Sequence, residues 1–303
     1  MGGEPRMLAI HRNVNLAEHC RFRVGGPADF FLEADGRKPL LSGLRFAGRH
    51  GLRRLVYGGG SNLLFDDAGF RGLVIRLTGG LYTVAAARTE VTVDAGYDLP
   101  ALVRGLALQG LGGVEFLGNI PGSVGGAVVG NAGCYGRAMA DVLVSARLLD
   151  VETESERVEE PGFFEFAYRT SRLKEDPRLV VLSATLKLVR RAREDVLSEV
   201  DEELALRMGK HPHMARCAGS FFKNPSRELS AWRAISEAGL AQARVGDAML
   251  SPMHANFLVN AGQATSADII ALVKLVRSGV QEHSGITLAP EVRYVSPTGI
   301  APL

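Results

Sequence analysis

The chain has 303 residues, a formal net charge of +2, 46% hydrophobic residues and 22% charged residues. That length suffices for two or three domains with a sizeable core, and so small a net charge gives no electrostatic footprint for a nucleic-acid partner. Cys20, Cys134 and Cys217 are odd in number, far apart and without C-x-x-C spacing, which argues against a disulfide framework or a metal site and for a reducing compartment.

In chain order, "MGGEPRMLAI" lacks a basic stretch followed by an apolar core. No leader is expected, and no apolar run approaches the ~20 residues that would insert in a membrane. A cytoplasmic protein is expected. "RKPLLSGLRFAGRHG" reads as a helix that Pro39 opens and Gly51 ends, with Leu40, Leu44 and Ala47 on one face. Strands at 54–57 and 73–77 flank "YGGGSNLLFDD" and complete a βαβ-like region.

A hairpin at 81–86 and 90–94 follows, then a helix capped by Asp98 and closed by Gly110. Next comes "GNIPGSVGGAVVGNAGCYG", in which seven of the nineteen residues from Gly118 to Gly136 are glycine. Strands "VLVSARLLDV" and "RLVVLSATLKLV" bracket an acidic, aromatic segment. A helix over 193–210 leads into a last part with helices near 230–238 and 266–280 and a strand "ITLAPEVRYV". The pattern is α+β in three parts, 1–78, 79–195 and 196–303.

Two tracts carry the strongest chemical signal. Successive backbone N–H groups in a glycine turn form a concave nest for phosphate oxygens. Gly58, Gly59, Gly60, Ser61, Asn62 and Leu63 offer one such turn. Asn119, Ile120, Pro121, Gly122, Ser123, Gly125, Gly126 and Asn131 lie on the other. The Rossmann fingerprint is excluded, because G-x-G-x-x-G is incomplete and no helix opens after the turn. A P-loop is excluded, because no Gly-Lys-Ser/Thr is present. Two glycine tracts suit the two ends of a diphosphate, although tight packing alone also uses such residues. Three polar clusters remain: Tyr168-Arg169-Thr170-Ser171, Ser220 with Lys223 and Asn224, and Glu291 with Arg293. The glycine tracts alone admit an oxidase or dehydrogenase of small alcohols, or a non-catalytic nucleotide-binding module.

Taken together, "FRVGGPAD", "GGGSNLL", "NIPGSVGGAVVGNAGCYG", "YRTSR", "AGSFFKNP", "MHANFLVN" and "PEVR" resemble the UDP-N-acetylenolpyruvoylglucosamine reductase family over about residues 15–295. The length resembles that family's shorter subtype. The resemblance implies a two-part FAD-binding region of the p-cresol methylhydroxylase/vanillyl-alcohol oxidase type, followed by a smaller α+β substrate domain. It implies non-covalent FAD held by the two glycine tracts, NADPH as hydride donor, and a UDP-N-acetylglucosamine enolpyruvate substrate of peptidoglycan synthesis. It assigns Ser220 as proton donor, Arg169 and Glu291 as groups that stabilise developing negative charge, and Asn224 and Arg293 as substrate contacts. His254 is expected to be structural or near the flavin rather than an acid. The chain departs from the family pattern at Cys20-Arg21, His211-Pro212 and Cys217.

Overall fold

Apolar side chains alternate along Arg54-Leu55-Val56-Tyr57, and in the computed structural model this stretch is a strand with Leu55 and Tyr57 buried. The structure describes residues 9–87, 89–212 and 215–303; residues 1–8, the seat of the expectation about a leader, lie outside them. The described residues divide into two units. One comprises those up to Val14 with Ala28–Gly59 and Arg71–Leu197, and the other comprises Asn15–Pro27, Gly60–Phe70 and Ser198–Leu303.

Among the described residues, the first unit contains two larger sheets and two short two-stranded ones. In the four-stranded sheet the order is His11–Asn15, Pro27–Ala34, Phe70–Leu77, Arg54–Tyr57. The last two run parallel, with Leu55 opposite Val74. Parallel neighbours need a long crossover. Helix α1, Arg37–Arg49, lies between the strands Pro27–Ala34 and Arg54–Tyr57 in the chain. It buries Leu40, Leu41, Leu44 and Ala47 against Leu32, Leu73 and Ile75 and against Leu149 and Val180 of the second sheet. Each such leucine contributes about 1.5–3 kcal/mol. The five-stranded sheet is antiparallel, in the order Glu156–Glu159, Leu143–Asp150, Leu179–Lys187, Glu90–Asp94, Tyr82–Val84. Helix α2, Leu99–Ala107, starts where Asp98 Oδ1 accepts the Ala101 amide at 2.9 Å, and Gly110, at φ +67°, turns the chain away.

The glycine-rich tract does not run extended, as a backbone laid flat along a ligand would. It contains helix α3, Val124–Gly130. Ser123 caps the start of α3 through Gly126 N, and Asn131, in the left-handed conformation, ends it. The Ser123 hydroxyl at one end and the left-handed backbone of Asn131 at the other offset the poor helix propensity of three glycines.

Helix α4, Arg193–Lys210, leads into the second unit. There a sheet of Arg244–Val245, Ala248–Ser251 and His254–Asn260 accompanies α5, Ala231–Glu237, and α6, Ser266–Ser284. Thr265 and Asp268 form a reciprocal capping box, and Ile269, Leu272, Val273, Val276 and Val280 bury one stripe of α6. The expected strand "ITLAPEVRYV" is regular only over Arg293–Ser296. Pro290 lacks an N–H and makes only an isolated bridge to Phe222, so the ladder cannot begin before it. Arg293–Ser296 pairs parallel with Leu63–Phe65 and antiparallel with Gly299–Ala301, a final strand without a clear sequence signal.

Asn260 holds the second unit's irregular parts together. Its Nδ2 donates to Phe22 O at 3.1 Å, while its Oδ1 accepts from Gly262 N and Ala264 N. It is 6% exposed. Asn260→Ala leaves these buried groups without their partners, each at a cost of about 1–3 kcal/mol. Denaturant unfolding is expected to show a loss of at least about 2 kcal/mol; a change below 0.5 kcal/mol would mean that water replaces the amide.

Candidate functional site

In the first unit the two glycine tracts meet. A Cβ on Gly58 would stand 1.9 Å from Ser123 Oγ, and one on Gly59 would stand 2.8 Å from Gly122 Cα. Gly122 itself, at φ +139°, has a backbone that side chains rarely allow. The tract is zipped to residues 95–99 by Leu99 N to Gly122 O, Val124 N to Tyr97 O, and Gly125 N to Ala95 O, all within 3.0 Å. Gly125 is as tight as Gly59, since its Cβ would lie 2.8 Å from that of Ala95.

Gly126 differs. It is exposed, and its added Cβ would meet nothing nearer than Ser123 Oγ at 3.4 Å. Asn119 differs in the opposite sense. It is 2% exposed, yet neither its side-chain N nor its O has a partner among the described residues. A buried amide with both ends unpaired is costly unless a ligand completes it. Among the described residues, the backbone N–H groups of Gly59, Gly122 and Ser123 donate to no protein acceptor. An open glycine face, an orphaned amide and unpaired N–H groups beside a close approach of two backbones fit a diphosphate-containing cofactor such as FAD. Asn131 is fully engaged by the protein. Its Nδ2 donates to Ala167 O and its Oδ1 accepts from Ala140 N, both at 3.0 Å.

That first bond also pins the turn carrying Arg169. Ala167 and Thr170 exchange two backbone hydrogen bonds, which leaves Tyr168 and Arg169 at the tip. Arg169 has φ +57°, unusual outside glycine, and its guanidinium lies 5.5 Å from the Tyr168 ring centre. Lys174 Nζ donates to Arg169 O at 2.6 Å, and buried Ser171 donates to Val129 O at 2.7 Å.

In the second unit, Ser220 and Glu291 lie on two paired chain segments. Glu291 N donates to Phe221 O at 2.7 Å, and Lys223 N to Ala289 O at 2.9 Å. The glycine turn's own continuation joins them. Gly60 turns at φ +62° and its O accepts from Arg21 N. After Ser61, Asn62 Nδ2 donates to Glu291 O at 3.1 Å, and Asn62 O accepts from Arg293 N at 3.0 Å. Leu63 then pairs with Arg293 in the parallel ladder. Asn224 is exposed, with Oδ1 accepting from Ala231 N at the start of α5. Ile120 and Pro121 are half-buried in the approach to Gly122.

Residue reading from the sequence did not single out Asn256 or Asn260, although both stand in "MHANFLVN". A buried Asn in an apolar strand was the available signal, since an amide survives there only with partners. His254 begins the same strand. Its ring packs 5.2 Å from the stacked His211 ring and 5.0 Å from Phe257. His211, a departure from the family pattern, thus has a partner. Cys20 and Cys217 are buried, and burial pushes both thiols up, away from reactivity.

Burial, followed by the charge of His211, lowers the His254 pKa from 6.5 to about 4. The unfolded chain therefore takes up this proton first on acidification. The stability owed to neutral His254 is full above pH 6.5 and declines as the pH falls toward 4, by at most about 1.4 kcal/mol per pH unit. His254→Phe is expected to flatten unfolding stability against pH in that window. A variant whose acid slope equals that of the parent would show that His254 is not the group.

The comparisons agree with this geometry. A family model described as an FAD binding domain matches residues 29–158, and one for the UDP-N-acetylenolpyruvoylglucosamine reductase C-terminal domain matches residues 211–295. UDP-N-acetylenolpyruvoylglucosamine reductase 2 of Symbiobacterium thermophilum is 40% identical over 284 residues, covering 94% of this chain and 91% of that protein. The reductase of Rubrobacter xylanophilus is 41% identical over 281 residues, covering 92% and 93%. The crystal structure of the Thermus caldophilus enzyme matches with a TM-score of 0.81 at 36% identity, covering 95% of this chain and 99% of that one. The α+β architecture is thus a flavin-binding region followed by a smaller reductase-specific domain, and the chain belongs to the UDP-N-acetylenolpyruvoylglucosamine reductase family.

Proposed function

We propose that Ser220, Glu291 and Arg169 are the catalytic groups of an FAD-dependent reductase that converts UDP-N-acetylglucosamine enolpyruvate to UDP-N-acetylmuramate in the cytoplasm, for peptidoglycan synthesis. The single observation that carries this reading is the pairing of the Ser220 and Glu291 segments through Glu291 N and Phe221 O at 2.7 Å. It sets the backbones of the two residues in adjoining segments. Residues 1–78 and 79–195 are proposed as the two halves of the flavin region, and 196–303 as the substrate domain.

The glycine tracts would hold FAD, which when bound would supply the hydride chemistry, with NADPH as the proposed hydride donor. Addition of hydride to the terminal methylene carbon of the enol ether builds negative charge toward the substrate carboxylate. Arg169 provides a fixed positive charge for it, and Glu291, in its protonated form, provides a donor. A preorganised field of this kind is the strongest general catalytic term. The adjoining carbon then takes a proton from the Ser220 hydroxyl. Asn224 and Arg293 hold phosphate or carboxylate groups of the sugar nucleotide. Gly59, Gly122, Ser123 and Gly126 cradle the diphosphate, Asn119 completes its amide on the cofactor, and Asn131 acts by positioning.

Ser220→Ala tests the proton donor. NADPH is expected to bleach the flavin at a near-normal rate, while reoxidation by the enolpyruvyl sugar nucleotide falls by about 10²–10⁴-fold. Equal slowing of the two half-reactions, followed by rapid-mixing absorbance, would show a structural role.

Gly126→Ala tests the cradle apart from turnover. Replacing a helical glycine in open space is expected to stabilise the flavin-free protein by about 0.5–1 kcal/mol. The same methyl is expected to weaken FAD binding at least about tenfold, read by fluorescence on titrating FAD into the flavin-free protein. Unchanged FAD affinity would place the diphosphate elsewhere.

A further inference from the structure

Ser220 lies beside a segment whose backbone is held by a side chain outside the catalytic set. Asn256 is 2% exposed and sits in the strand His254–Asn260. Its Oδ1 accepts the Phe222 amide and its Nδ2 donates to the Phe222 carbonyl, both at 2.9 Å. Its own carbonyl accepts from Phe221 N at 2.7 Å. One residue thus brackets both backbone groups of Phe222 and fixes the residue directly after Ser220. The preceding residue, Gly219, has φ +81° and open space where a side chain would be. The bonds made by Asn256 hold Ser220 from its C-terminal side. Phe221 O, the acceptor for Glu291 N, belongs to the same braced dipeptide.

We propose that Asn256 is a positioning residue for the protonation step: its amide sets the place and direction of the Ser220 hydroxyl and its spacing to Glu291. This rests on the reading of Ser220 as proton donor. A serine is a weak acid, so transfer depends on alignment more than on driving force, and a misplacement of about 1 Å costs on the order of 100-fold.

Asn256→Asp changes one atom's chemistry and keeps the shape. As a carboxylate it still accepts from Phe222 N but turns an anionic oxygen on Phe222 O. When protonated, its O–H donates there as the amide did. The facing titratable group on the same strand is His254, whose Nδ1 accepts from Asn256 N at 3.2 Å. Its titration near pH 4 lies below the pH 6–9 range of the test. Glu291 is present in parent and variant alike, so each variant rate is taken as a ratio to the parent at the same pH.

Two measurements on the holoenzyme decide. Amide hydrogen exchange of the peptide spanning 217–224 is expected to speed up at least about tenfold in Asn256→Asp at pH 9 and to return toward the parent at pH 6. Flavin reoxidation by the enolpyruvyl sugar nucleotide is expected to fall about 10–100-fold at pH 9 and recover at pH 6, with reduction by NADPH unchanged. In the Ser220→Ala background, Asn256→Asp is expected to add no further loss. Equal slowing of both half-reactions, absence of pH rescue, or full additivity with Ser220→Ala would overturn the inference. Should Ser220→Ala alone reoxidise at the parent rate, the proton-donor reading fails first and the inference falls with it.

Discussion

Backbone N–H and C=O groups buried in irregular chain must find partners, because an unpaired one costs as much as a lost hydrogen bond. The stretches proposed to carry the chemistry, 58–62, 167–170, 219–224 and 289–293, have little or no ladder of their own. Asparagine amides supply much of the missing pairing. Asn62 closes onto Glu291 O, Asn131 onto Ala167 O and Ala140 N, Asn256 onto both groups of Phe222, and Asn260 onto Phe22, Gly262 and Ala264. An amide carries a donor and an acceptor at one tip, so it can replace a piece of β-ladder where no strand fits. Geometry that sheets would otherwise fix is held by side chains, and this lets loops rather than strands present the reactive groups.

The glycines sort by the same physical test. Gly58, Gly59 and Gly125 are small because the protein's own atoms stand where a side chain would go. Gly126 is small although nothing in the protein requires it. Only the second kind points beyond the chain. Sequence alone treats all four alike, since a glycine needed for packing and a glycine needed for a ligand leave the same letter. Asn119 makes the complementary case: its burial without partners is visible only in three dimensions.

Much of the fold was legible because it rests on local periodicity. The helix at 37–49, its strand at 54–57, the Asp98 cap and the long strands at 143–150 and 179–187 follow from apolar spacing and capping residues. What escaped was decided by single local residues or by pairing at long range. The strand before Arg293 is cut by Pro290, and α3 forms in a glycine-rich stretch because Ser123 and Asn131 cap it. Leu63–Phe65 pairs with Arg293–Ser296 across more than two hundred residues of chain. The site residues came from a resemblance of motifs. Residue chemistry alone left Tyr168-Arg169, Ser220 and Glu291 as ordinary polar positions, and gave no sign that Asn256 braces one of them.

Arg169 shows how local strain and long-range pinning combine. A left-handed arginine at a turn tip costs on the order of 1 kcal/mol, and asparagine or glycine would relieve it. The turn persists because five bonds constrain it: the two between Ala167 and Thr170, Asn131 to Ala167 O, Ser171 to Val129 O, and Lys174 to Arg169 O. Two of these anchor the turn to α3 and its cap, the helix that grows out of the Gly122–Gly126 cradle. The arginine's backbone is thereby referenced to the same helix as the glycine nest, with no intervening flexible linker. In the role proposed for Arg169, a cation that meets charge developing on the substrate gains from this arrangement, because the energy of reorganising the site is supplied at folding rather than during the reaction.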